Sequence, residues 1–134
     1  MKTTALTGWG RTAASNATVS TPLDAAQVAD LVRAPARTVL ARGLGRCYGD
    51  AAQSAGGRMI DTGRLTALDL DDDTGLLSAG AGCSLDEILR HAVPRGWFLP
   101  VVPGTRFVTL GGAIAADVHG KNHHVDGTLG AHLD

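Results

Sequence analysis

Two glycine-rich segments have the residue types to hold an anion. The first is Ala41–Asp50, ARGLGRCYGD, in which Gly43, Gly45 and Gly49 directly follow a short apolar run. Such a run lets successive backbone N–H groups turn toward one concave point, the kind of nest that holds phosphate. Arg42 and Arg46 would add charge, and a plain glycine-rich turn with solvated arginines is the competing explanation. The GxGxxG fingerprint is absent, because no helical pattern follows Gly49 and Asp61, though near the right distance, stands in the wrong context. The second segment is Pro103–His119, PGTRFVTLGGAIAADVH, with Gly111 and Gly112 where a helix would begin. Free N–H groups and the helix dipole favour negative charge there, whereas close helix packing would use the same small residues. Two such elements in one small chain are best explained together, by a pyrophosphate.

A third segment, His119–His124, reads HGKNHH. His119 and His123 are four apart, a helical metal-ligand spacing, but Gly120 opposes a helix and no third ligand stands at a suitable distance. No metal is expected. His119, Lys121 and Asn122 offer donors for an anionic substrate or a flavin carbonyl, with an exposed polar loop as the alternative.

The elements that must position these segments follow from periodicity and punctuation. A helix is expected from Thr21-Pro22 to Ala34-Pro35, with Thr as the cap, Pro at the first helical position, and Val28, Leu31 and Val32 on one face. Short strands are expected at 38–41, 58–61, 67–70 and 76–79, with 71–75 as a hairpin loop and 51–57 as a flexible loop. Ser84 and Glu87 form a capping box for a helix running to about Pro94. Strand-like Phe98–Val102, a turn at 103–105 and a helix from Thr109 to Ala116 complete the order. Helices and strands do not alternate regularly, so the fold class is α+β.

Composition narrows the function. The 134 residues include 18 Gly and are 44% hydrophobic but only 4% aromatic, enough for one domain whose small side chains favour a bound flat or phosphorylated molecule. Twelve basic residues stand against 13 acidic ones, net −1, without a basic stripe, so no nucleic-acid partner is expected. No apolar run reaches the roughly 18 residues of a membrane span, and glycines at 8 and 10 interrupt any signal-peptide core. A cytoplasmic location is expected, with Cys47 and Cys83 as free thiols.

Together, LTGWGRTA at 6–13, ARGLGRCYGD, PGTRFVTLGGAIAADVHGKNHH and the closing GTLGAH resemble the FAD-binding domain of the vanillyl-alcohol-oxidase or p-cresol methylhydroxylase type. More narrowly they are similar to the decaprenylphosphoryl-ribose 2'-oxidases, the flavin half of the epimerase that makes the arabinose donor of mycobacterial cell walls. The resemblance spans nearly the whole chain, and HGKNHH and GWGRTA are its specific signals. It implies that Ala41, Arg42, Gly43, Leu44, Gly45, Arg46, Cys47, Tyr48, Gly49, Asp50 and Ala51 wrap the FAD pyrophosphate. Gly104, Thr109, Leu110, Gly111 and Gly112 would add contacts, and Ala116, Asp117, Val118 and His119 would complete that wall. Lys121, with His119, would be catalytic on the substrate side.

The implied reaction takes a hydride from a secondary alcohol carbon of a lipid-linked sugar, and a separate NAD(P)-dependent reductase would reduce the ketone. Peripheral membrane association of the full-length protein is also implied, as are an alditol or lactone oxidase and a non-catalytic remnant as alternatives. Relatives that bind flavin covalently carry a His where this chain has Arg46, so non-covalent FAD is expected. Cys47 stands where the family more often has Ser. The family's FAD domain continues further and is followed by a substrate domain, so residues 1–134 are expected to be an N-terminal fragment lacking that domain.

Overall fold

The computed structural model describes residues 2–134, which divide into two compact units, residues up to Leu65 and residues from Thr66 onward. The first is a four-stranded sheet, order β1-β2-β4-β3, built from β1 (Lys2–Leu6), β2 (Ser15–Ser20), β3 (Val39–Arg42) and β4 (Arg58–Asp61). β1 and β2 form an antiparallel hairpin, whereas β2 and β3 both lie parallel to β4. Helix α1 (Ala25–Arg33) connects β2 to β3. Parallel neighbours need a crossover of about a dozen residues or more, usually a helix. Between β3 and β4 the glycine-rich stretch 43–57 supplies it instead. Met59 and Ile60 of β4, Ala17 of β2 and Pro22 are the buried centre of this unit.

Two expectations change here. Helix α1 begins at Ala25 rather than at Pro22, because Asp24 caps it by accepting the Gln27 N–H at 2.8 Å, while the Gln27 side chain accepts the Leu23 N–H. That reciprocal cap outcompetes Thr21, and Pro22 is buried instead. Strands β1 and β2 were not expected from the sequence. They are rich in Thr and Ser, and only Ala17 among them is buried, so they lack the apolar alternation that marks a strand.

The second unit holds a short hairpin, β5 (Leu68–Leu70) and β6 (Leu77–Ala79), then helices α2 (Leu85–Ala92), α3 (Leu110–Ala115) and α4 (His123–Asp126). The capping box forms as expected: Ser84 Oγ accepts the Glu87 N–H and the Glu87 carboxylate accepts the Ser84 N–H. Cys83, Leu85, Ile88, Val101, Ala113 and Leu129 make its buried core. No ring stands among them, and Tyr48, Phe98, Phe107 and Trp9 are all exposed. Residues 98–102 are not a strand; they run without a sheet partner, held where Asn122 Nδ2 donates to the Pro100 carbonyl at 2.9 Å. The architecture is α+β, with mixed helices and sheets.

Candidate functional site

The turn of the β1–β2 hairpin, TGWGRTAA at 7–14, packs on the glycine-rich loop that follows β3. The Trp9 N–H donates to the Cys47 carbonyl at 2.7 Å. A Cβ on Gly8 would strike the carbonyl oxygens of Cys47 and Gly49, and one on Gly10 the carbonyl of Tyr48, so only glycine permits this approach. The carbonyls of 47–49 thus face the hairpin turn. The backbone N–H groups of Gly43, Leu44, Gly45, Cys47, Tyr48 and Gly49 donate to nothing among the described residues. Leu44, Cys47, Tyr48 and Gly49 are exposed, so most of these donors are open to solvent and chemically free to take acceptor oxygens in place of water.

The two arginines of this loop differ. Arg42 was expected to add charge toward phosphate. Its guanidinium instead donates to the Ala52 and Thr7 carbonyls, both at 2.7 Å, and lies where a Cβ on Gly45 would be. Gly45 also adopts a left-handed φ of +66°, which glycine takes without steric cost. Arg42 therefore braces the loop from beneath, through one bond from each terminal nitrogen to a backbone carbonyl. Arg46 lies over the Trp9 ring, 4.5 Å from its centroid, a cation–π contact. Cys47, Tyr48 and Asp50 are exposed, and both cysteines are free thiols.

In the second unit the expectation of free N–H groups at the start of α3 fails. Leu110 N–H donates to the Cys83 carbonyl at 2.7 Å and Gly111 N–H to that of Ala81 at 2.9 Å. Gly112 N–H goes to the Thr109 hydroxyl at 3.1 Å and Ala113 N–H to the Thr109 carbonyl at 2.8 Å. Reciprocally, at the start of α2, Leu85 and Asp86 donate to the Val108 and Arg106 carbonyls, each at 3.0 Å. Two helix starts thus zip together and satisfy each other. A Cβ on Gly111 would press on Ala81 at 2.9 Å, so this glycine serves packing, and one on Gly112 would crowd the capping hydroxyl at 3.0 Å. Thr109 is buried as that cap.

The flanks of α3 are more open. Gly104 is exposed with nothing near its Cβ direction. After α3 the chain turns through Ala116 and Asp117, the latter at a left-handed φ of 42°, with its carboxylate accepting the Gly130 N–H at 2.9 Å. Val118 N–H donates to Ala113, and His119 pairs as an isolated bridge with Thr128.

The HGKNHH segment is only partly free for a ligand. Asn122 Nδ2 binds the Pro100 carbonyl and the Asp126 carboxylate, so Asn122 anchors the loop. The His119 and His123 rings lie 5.1 Å apart between centroids, and His123 Nδ1 is 3.0 Å from the Gly120 carbonyl. Lys121 is exposed and its ammonium has no partner among the described residues. Several carboxylates of this unit titrate below their usual range: Glu87 through its bonds from Ser84, Asp86 through the Arg90 guanidinium, and Asp71 through the Thr74 and Asp73 N–H groups. These are structural contacts of caps and turns. Sequence reasoning missed Gln53, which bonds four groups of the hairpin; its partners are up to 47 positions away, so no local pattern announces it.

The described residues 17–134 match the family model described as FAD binding domain. The chain is 47% identical, over 133 residues, to decaprenylphosphoryl-beta-D-ribose oxidase of Mycolicibacterium smegmatis, an alignment covering 96% of this chain and 29% of that relative. It is 31% identical over 81 residues to D-lactate dehydrogenase of Archaeoglobus fulgidus, covering 60% of this chain and 18% of that protein. Among solved structures, cholesterol oxidase from Brevibacterium sterolicum superposes with a TM-score of 0.69 at 18% identity, covering 89% of this chain and 24% of that one, which is a likeness of fold. The chain thus spans under a third of the length of the curated relatives it matches. It belongs to the FAD binding domain family.

Proposed function

We propose, from that membership, that this chain is the N-terminal FAD-binding part of an oxidoreductase that oxidises a secondary hydroxyl of a sugar to a ketone, the 2'-hydroxyl of a polyprenylphosphoryl ribose. The observation that carries the reading is the set of backbone N–H groups of Gly43, Leu44, Gly45, Cys47, Tyr48 and Gly49 without an acceptor among the described residues. A pyrophosphate presents acceptor oxygens and negative charge to donors of this kind, and bonds to charged acceptors contribute about 1.5–3 kcal/mol each. When bound, FAD supplies the hydride acceptor. Arg46, a guanidinium, has no nucleophilic nitrogen at neutral pH, so the cofactor is held without a covalent bond. Gly104 would add room for close approach, and Ala116 to His119 a wall. The free ammonium of Lys121 would hold the anionic group or the hydroxyls of the substrate, with His119 as a second polar contact.

The 47% identity to an oxidase of decaprenylphosphoryl ribose supports the sugar. The shorter likeness to a D-lactate dehydrogenase supports the coarser reaction, because D-lactate too is a secondary alcohol. We assign the substrate domain to polypeptide outside these residues, the ketone to reduction by a separate NAD(P)-dependent reductase, and the lipid tail to peripheral contact with a membrane. No helix is long and apolar enough to cross one among the described residues. The free thiols fit the cytoplasm.

The test is a protein extended to the length of its relative. It is expected to purify with flavin absorbance, to release intact FAD on acid precipitation, and to bleach anaerobically with polyprenylphosphoryl ribose but not with D-lactate. Absence of flavin binding overturns the reading; flavin retained on the precipitate overturns its non-covalent part; bleaching by D-lactate alone overturns the sugar.

A further inference from the structure

The loop that runs from Gly43 to Gly49 has few internal bonds to hold its shape, since the backbone N–H groups of Gly43, Leu44, Gly45, Cys47, Tyr48 and Gly49 have no acceptor among the described residues and its three glycines allow wide backbone rotation. Something outside it must fix the direction in which those N–H groups face. The Gln53 side chain, half-buried, is bonded on every polar atom it has. Its Oε1 accepts the Gly8 N–H at 3.0 Å, and its Nε2 donates to the Leu6 carbonyl at 3.0 Å, the Ala13 carbonyl at 3.1 Å and the Ser15 hydroxyl at 3.2 Å. One amide thereby closes both ends of the hairpin turn 7–14. The same turn holds the Cys47 carbonyl through Trp9 and faces the carbonyls of Tyr48 and Gly49. Gln53 itself is tied back to the loop, its N–H donating to the Asp50 carbonyl at 2.8 Å.

We infer that Gln53 is a positioning residue for the cofactor: it locks the hairpin turn against the glycine-rich loop, so that the loop's carbonyls are held on one side and its N–H groups stay presented to the pyrophosphate. This rests on the FAD reading above. The chemistry needs an amide. A carboxylate at 53 could accept from Gly8 but could not donate to the carbonyls of Leu6 and Ala13, and would face both as a like-signed dipole.

Gln53→Ala and Gln53→Glu, in the protein extended to the length of its relative, are compared with Arg58→Ala. Arg58 braces the end of α1 through the carbonyls of Leu31, Ala34 and Pro35 and takes no part in the loop, so it matches a general loss of stability. FAD dissociation constants are measured by titration well below each protein's melting temperature, with amide hydrogen exchange on the FAD-free forms. Both Gln53 variants are expected to bind FAD at least tenfold more weakly and to exchange the Trp9 amide faster, while Arg58→Ala keeps the affinity of the unaltered protein. Equal loss in Arg58→Ala, or unchanged affinity in the Gln53 variants, overturns the positioning role. If the unaltered protein binds no FAD, the cofactor reading fails instead, and unchanged exchange at Trp9 in Gln53→Ala then overturns the lock on its own.

Discussion

Two glycine-rich segments that look alike in sequence behave oppositely in the fold. In the loop after β3, the carbonyls of Cys47, Tyr48 and Gly49 face a hairpin turn, and the N–H groups of Gly43, Leu44, Gly45, Cys47, Tyr48 and Gly49 have no acceptor among the described residues. At the start of α3, every N–H from Leu110 to Ala113 already has an acceptor within the unit, and Gly111 exists to let its backbone reach Ala81. Glycine at a helix start therefore has two meanings, donor exposure and close packing, and only the bonding partners tell them apart. The first segment leaves six backbone donors without an acceptor among the described residues. The second is a rigid joint between two helix starts.

The largest effect expected from this contrast is at Gly45. Its left-handed φ and the guanidinium of Arg42 beneath it leave no place for a branched side chain. Gly45→Val should turn the loop and misdirect at least one or two donors, lowering FAD affinity by a hundredfold or more, about 2.7 kcal/mol. The circular dichroism of the protein should be unchanged. Retained affinity, measured by titration, would break the contrast by showing that the loop's donors do not hold the cofactor.

Gly111→Val probes the other side. Pressing a branched side chain on Ala81 is overpacking, with a cost of about 1–3 kcal/mol in stability, read as a lower midpoint in denaturant. FAD affinity below the transition should change less than threefold. If affinity collapses while the midpoint stays, the start of α3 is an anion site after all.

How much of this was legible beforehand differs by range in sequence. The Ser84–Glu87 capping box, the 71–75 turn and the glycine-rich loop are local patterns, and each formed where periodicity and punctuation placed it. What the sequence could not give was the bonding of Gly111 to Ala81, thirty residues earlier, or of Gly8 to Gln53, 45 residues later. Both decide whether a glycine's N–H is free. Arg42 shows the same limit: its charge is visible in the sequence, but its two carbonyl partners are not. The β1–β2 hairpin escaped notice because its Thr- and Ser-rich strands lack apolar alternation, although β1 is an edge strand and β2 an inner one.

A smaller effect sharpens the assignment of Lys121. Its ammonium is exposed and unpartnered among the described residues, so it contributes little to the fold and is available for an anionic or hydroxylated substrate. Lys121→Met keeps the length of the side chain and removes the charge. In the extended protein, flavin reduction by substrate should slow by about tenfold, about 1.4 kcal/mol in the barrier, with FAD per protein unchanged. Lost FAD would move Lys121 into the cofactor shell, and an unchanged rate would leave it a solvated residue.

The smallest effect concerns pH and belongs to the zipped unit. Glu87 is held ionised by the Ser84 N–H and hydroxyl, and Asp86 by Arg90 and Arg106, so both carboxyls titrate lower in the folded state than in the unfolded chain. A depressed folded pKa gives stability that is fully present above the unfolded value, about 4, and is lost as pH falls through the folded one. Glu87 is exposed and screened by solvent, whereas the Asp86 carboxylate is partly covered between Arg90 and Arg106; the loss expected from Glu87 is modest. Amide protection factors across α2, exchange being referred to the intrinsic rate at each pH, should therefore fall between about pH 5 and pH 3, where the unfolded chain takes up protons that the folded chain refuses. Glu87→Gln still presents an acceptor to the Ser84 N–H but cannot titrate, and should flatten that dependence. An equal pH slope in Glu87→Gln would remove Glu87 as its source and leave the capping box a contact of geometry alone.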